Sequence, residues 1–146
     1  MVKYDDASWH CHGGAFPPDL PQAAAATHIA MFVVWALLSG LGGALPSGES
    51  PRDLEELKSR GITPGQYFLR ACDGRFTEED LSFLGNWFAG NYFGYRYFQD
   101  YDNTFGQGLP SLYHVGDSWD NFDRLKPLLD RRFADWTRGC KYHAGR

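Results

Sequence analysis

The chain has 146 residues and a formal charge of −4 at pH 7. That length suits one domain, and an aromatic content of 16% argues against disorder. The acidic balance speaks against a general electrostatic grip on nucleic acid or an anionic membrane. Cys11, Cys72 and Cys140 are odd in number and form no CxxC pair, so the expectation is three reduced thiols in a cytoplasmic protein.

Residues 1–21 read as an extended arm, because Pro17, Pro18 and Pro21 forbid a regular helix there. A helix is predicted from about Pro21–Ala23 to the glycines at 40–43. It holds the apolar run Ile29 to Leu38. That run is too short for a membrane span, which needs about 20 apolar residues. It also lacks the basic start of a signal peptide. A buried core helix is the expectation. Ser50 and Thr63 are each followed by proline, the start signal of a short helix. Thr77 is predicted to cap a long helix reaching about residue 102. Asp117 or Ser118 is predicted to start the last one. In that last helix Trp119, Phe122, Leu125, Leu129, Phe133 and Trp136 recur at spacings of three and four, which is one helical face. Pro127 lies inside this pattern and is expected to kink or split it. The class predicted is mostly α: a single compact helical domain, with an arm over 1–21, a helical body over 22–138 and a tail over 139–146.

Charge is uneven. Residues 73–123 carry nine acids and two bases, whereas residues 124–146 carry seven bases and two acids. Either the basic end folds back on the acidic segment, or that segment faces a basic partner.

Two groups of residues are candidates for function. The first begins at "SWHCHGG". In an extended strand His10 and His12 point to the same side, and with Asp5, Asp6, His28 or His114 they make a possible metal set. His28 falls within the apolar helix, where a buried imidazole needs a partner; Asp5 or Asp6 is the expected one. The same residues could serve acid–base chemistry. The second group is the aromatic, acidic stretch after Thr77. There Trp87, Tyr95, Asp100, Tyr101, Asp102 and Asp117 are the expected contacts for a protein partner. Asp100 opens a stretch that fails the calcium-loop pattern, because its sixth residue is Phe105 and its twelfth is Ser111. No phosphate-binding loop, dinucleotide fingerprint or GxSxG elbow is present.

The phrases "KYDDASWH", "GGAFPPDLP", "ATHIAMFVVWALL" and "LPSLYHVGDSWDNFDRLKPLLDRRFADW" resemble a family of small bacterial proteins of unknown function. The resemblance spans roughly residues 3–136 and implies a cytosolic bacterial protein with no catalytic residue to carry over. It departs at Cys11 and His12, where a single residue is expected between Trp-His and Gly-Gly; this weighs against a metal role for His12. With no complete catalytic constellation in view, the expectation is a small acidic binding protein without a cofactor. An immunity-type inhibitor of a basic bacterial toxin domain fits that description. The alternative is a metal-dependent or acid–base enzyme built on Asp5, Asp6, His10, His12 and His28.

Overall fold

The structure is a computed structural model describing residues 2–44 and 51–144, with the backbone alone at 141–144. Ser50, the expected cap of the third helix, lies outside the described residues. The chain opens with strand β1 (Lys3–Asp6) and helix α1 (Ala7–Cys11), then reaches a 3-10 turn (Gln22–Ala25) and helix α2 (Thr27–Leu38). Helices α3 (Pro51–Lys58) and α4 (Pro64–Ala71) follow. Strand β2 (Arg75–Thr77) comes next, then a 3-10 turn (Glu78–Asp80) and helix α5 (Phe83–Tyr92). A π-helical segment (Phe93–Tyr97) joins α5 to α6 (Phe98–Phe105). A 3-10 turn (Leu112–His114) leads to the last helix, α7 (Trp119–Ala144). The domain is helical, with one small antiparallel sheet of β1 and β2.

Helix α2 is the axis of the core. Every residue from Thr27 to Ala36 is buried, as expected of a helix apolar on all sides. It ends where Gly40 takes a φ of +80°, a conformation that only glycine adopts freely. The Phe32 ring meets Trp35, Phe76, Phe88, Tyr92, Phe93 and Tyr97 at centroid separations of 5.1–6.3 Å. These rings join α2 to β2 and to the α5–π–α6 run. Gly85 lets α5 approach the chain after α2, since a Cβ there would lie 2.5 Å from the Leu41 carbonyl oxygen.

The arm departs from its expected form. It is a strand and a helical turn bound into the body, because β2 offers Asp5 and Asp6 a partner strand and Asp6 then caps α1 through Ser8 N–H. Helix α4 starts as expected, with a capping box between Thr63 and Gln66 and Pro64 in the first turn. The long helix expected after Thr77 is interrupted. Thr77 caps only the 3-10 turn, and Ser82 starts α5 anew. Pro127 lies inside α7 without splitting it, and α7 continues past residue 139 to Ala144, so no separate tail starts there. On the predicted face of α7, Phe122, Leu125 and Leu129 are buried, while Trp119, Phe133 and Trp136 pack against the core. The basic end does fold back on the acidic segment. Arg132 donates two hydrogen bonds to Asp100, at 2.9 and 3.0 Å. No helix among the described residues is long and apolar enough to cross a membrane.

Candidate metal and acid–base centre

Four separate segments converge on one point. The register of β1 against β2 pairs Asp5 with Phe76 and turns the Asp5 side chain inward. The helical turn of α1 brings His10 back over it. The first turn of α2 supplies His28, and the 3-10 turn at 112–114 supplies Tyr113. His10 Nε2 lies 2.8 Å from Asp5 Oδ1 and 3.3 Å from His28 Nε2. His28 Nε2 lies 3.8 Å from Asp5 Oδ2. On its other nitrogen, His10 Nδ1 meets the Tyr113 hydroxyl at 2.7 Å. The His28 side chain is fully buried, that of Asp5 nearly so, and His10 keeps 19% of its side chain exposed. His10 is therefore the open side of the cluster.

Two proton placements are open at this point. With a proton on each Nε2, both rings aim a donor at the Asp5 carboxylate, His10 at Oδ1 and His28 towards Oδ2. With both Nε2 atoms bare, the two imidazoles and the carboxylate face one another as acceptors, the arrangement that a cation would hold. In the second case the proton of His28 sits on Nδ1, which is buried with no hydrogen-bond partner. Two ligands of a tetrahedral zinc at its usual bond lengths stand about 3.3 Å apart, which is the spacing of the two imidazole nitrogens.

The states of His28 and Asp5 suit ligation. Burial drives the His28 pKa down, against the opposing pull of Asp5, so the ring is neutral at pH 7. Burial alone would raise the Asp5 carboxyl. The hydrogen bonds to His10 and His28 and the charge of His10 outweigh that and hold it at about 2. Neutral imidazole and ionised carboxylate are the forms that bind a metal. The Tyr113 hydroxyl on His10 Nδ1 is the kind of outer hydrogen bond that orients a ligand ring.

Three of the expected ligands stand elsewhere. Asp6 caps α1 and pairs with Lys3 at 2.9 Å. His12 is the exposed C-terminal cap of α1. The strand geometry expected for "HCH" is corrected here: on a helix, residues two apart point about 200° away from each other, so His10 turns in and His12 out. His114 holds Asp19 and Ser111 at 3.0 and 2.8 Å, outside the cluster. Tyr113 was not legible as a site residue. Nothing in "SLYHV" distinguishes its hydroxyl from any other.

The expected partner contacts divide. Trp87 is 51% exposed, Tyr95 is 84% exposed, and Asp102 faces solvent. Asp100 and Tyr101 are buried, at 3% and 1%, which corrects their expectation as partner contacts. Asp100 binds Arg132 and accepts from the Tyr92 hydroxyl at 2.7 Å. Tyr101 packs between Tyr97 and Phe105. Asp117 is half-buried and works internally, accepting from the Thr63 hydroxyl at 2.6 Å and from Gly65 N–H at 2.9 Å.

Fold and site together define a small helical domain with a buried carboxylate–imidazole–imidazole cluster open on one side. Residues 3–115 match the family described as "Domain of unknown function (DUF7832)", and the chain belongs to that family. Asp5, His10, His28 and Tyr113 all lie within the matched residues. No curated protein and no solved structure matches the chain.

Proposed function

We propose that this protein is a small metal-dependent hydrolase whose ion is held by Asp5, His10 and His28. The observation that carries the proposal is the convergence of one possible ligand atom from each of Asp5, His10 and His28, all within 4.8 Å of one another, with the two imidazole nitrogens 3.3 Å apart. Two imidazoles and one carboxylate suit zinc or another first-row divalent ion, and three protein ligands leave a position for water. A water so bound ionises near neutral pH, with a pKa of about 7 in well-formed zinc sites. Its oxygen would add to an acyl carbon, the bond to the leaving group would break, and the water's second proton would pass to that group. The exposed edge of His10 is the side from which a substrate would approach, and the burial of Asp5 and His28 would keep the ligands from drifting.

The test is hydrolysis of a neutral chromogenic ester by the full chain, with zinc and with chelator. Zinc-dependent turnover that falls at least a hundredfold in His28→Asn supports the proposal. Turnover indifferent to chelator and to His28→Asn overturns it.

A second reading keeps the partner-binding role and rests on a different observation. Phe83 and Tyr95 are each 84% exposed and Trp87 is 51% exposed, in a segment that also presents Glu79 and Asp102 to solvent. Exposed aromatics bordered by acids suit a basic protein surface such as a toxin domain. On this reading the contacts are Phe83, Trp87, Tyr95 and Asp102. Asp100, Tyr101 and Asp117 serve the fold. Capture of a basic partner that is lost in Trp87→Ala and kept in His28→Asn would favour it. A partner retained equally by both variants would remove this placement.

A further inference from the structure

A cleft of about 400 Å³ lies between the first turn of α2, the start of α4 and the 112–117 segment. Tyr113 forms part of its wall, and the hydroxyl of the same residue is bonded to His10 of the cluster. Thr27, also in the wall, immediately precedes His28 in α2. None of Asp5, His10 and His28 lines the cleft; Tyr113 stands between it and the candidate metal centre.

We infer that this cleft is a small-molecule site and that it selects an uncharged or cationic compound over an anionic one. The inference stands on the lining of the cleft and does not depend on the metal-centre reading above. Its volume falls in the range of small-molecule sites, roughly 300–1,000 Å³. Leu20, Ala24, Leu69 and Val115 give it an apolar lining. The charged group in its wall is Asp117, whose carboxylate is fixed by Thr63 and Gly65. His114, also in the wall, is paired with the carboxylate of Asp19. No Lys or Arg lines the cleft. A phosphate or carboxylate entering it would be desolvated beside Asp117 without a cation in the wall to compensate, which is costly. A neutral amide or ester meets no such penalty, and a cationic amine gains from Asp117.

A second cavity shows the contrast. It is about 310 Å³, is lined from α5, the π-helical segment and α7, and carries Arg96 and Arg132 beside Asp135, with Arg132 already paired to Asp100.

The test measures binding of four probes to the zinc-loaded full chain by amide NMR shifts: N-acetyl-leucinamide, leucinamide, N-acetyl-leucine and phenyl phosphate. The expected result is binding of the first two at least tenfold tighter than the last two, with shifts at Thr27, Gln66 and His114. Leu69 is 38% exposed, so Leu69→Arg can place a cation in the wall without disturbing the core. It should reverse the order towards the anions, and Ala24→Trp should block all four. Anions bound as tightly as amides by the unaltered chain would overturn the inference. So would failure of all four probes at millimolar concentration, or an order unmoved by Leu69→Arg. Zinc affinity measured on the same samples separates the two claims. If zinc fails to bind while the probe order holds, the metal reading falls and the selectivity of the cleft stands.

Discussion

His10 Nε2 and His28 Nε2 stand 3.3 Å apart, 18 positions apart in sequence, and both face the carboxylate of Asp5. The relationship predicts how ligand variants behave. Asp5→Asn and His28→Asn should each weaken zinc binding at least a hundredfold, because each removes one of three ligands. Calorimetric titration of each variant checks this. Alanine at His12 should leave zinc affinity within twofold, because His12 caps α1 on the solvent side.

The second prediction concerns the fold. Asp100 is buried, accepts from Tyr92 and binds Arg132 through both oxygens. Leaving one member of a buried pair without its partner costs about 3–5 kcal/mol. Because Arg132 keeps 24% of its side chain exposed, Asp100→Asn should destabilise the domain by about 3 kcal/mol, towards the lower end of that range. Urea unfolding followed by tryptophan fluorescence measures it. A loss below about 1 kcal/mol would place this pair with ordinary surface ion pairs.

Acid should destabilise the protein in a defined window. Burial alone would raise the carboxyl of Asp5, but His10 and His28 bring it down to about 2. Asp100 is lowered through Arg132 and Tyr92, and Asp130 through Lys126 and Trp35, in each case against the effect of burial. A carboxyl with a folded pKa below its unfolded value of about 3.9 contributes stability that is present above that value and lost as pH falls through the folded one. The lowered His28 acts in the same direction but earlier, because below about pH 6.5 the unfolded imidazole takes up a proton that the buried ring resists. Stability should therefore begin to decline below about pH 6.5 and fall further from about pH 4 towards the Asp5 value of about 2. Unfolding free energies at a series of pH values check the direction. A rise in stability on acidification through this window would contradict it.

Gly65 tests the internal role of Asp117. A Cβ at position 65 would overlap the Asp117 carboxylate, which holds the start of α4 through Gly65 N–H and Thr63. Gly65→Ala should cost about 1–3 kcal/mol, the usual penalty of overpacking, despite the better helix propensity of alanine. Thermal unfolding reads the difference.

Much of this was legible in the sequence where a local rule governs it. The spacing of Trp119, Phe122, Leu125 and Leu129 announced one buried face of α7, and the Thr63–Pro64 start produced its capping box. His28 in an apolar helix announced a need for a partner, and Asp5 is beside it. Long-range packing decided the rest. The arm bonds to β2, over 70 residues away, and only that pairing makes residues 7–11 a helical turn that separates His10 from His12. Asp100 reads as a surface charge until Arg132, 32 residues later, folds over it. The π-helical segment at 93–97 has no simple periodic signature. Tyr113 joins the site through the path of the 106–118 segment and not through any motif.

The most direct measurement is titration of the full chain, purified without a histidine tag, with cobalt(II) in place of zinc, followed by visible absorption. The account predicts one equivalent bound, a spectrum of low-coordinate cobalt with nitrogen and oxygen ligands, displacement by zinc, and loss of the spectrum in His28→Asn. A chain that binds no cobalt, or binds it equally well in His28→Asn, would contradict the assignment of Asp5, His10 and His28 as a metal centre.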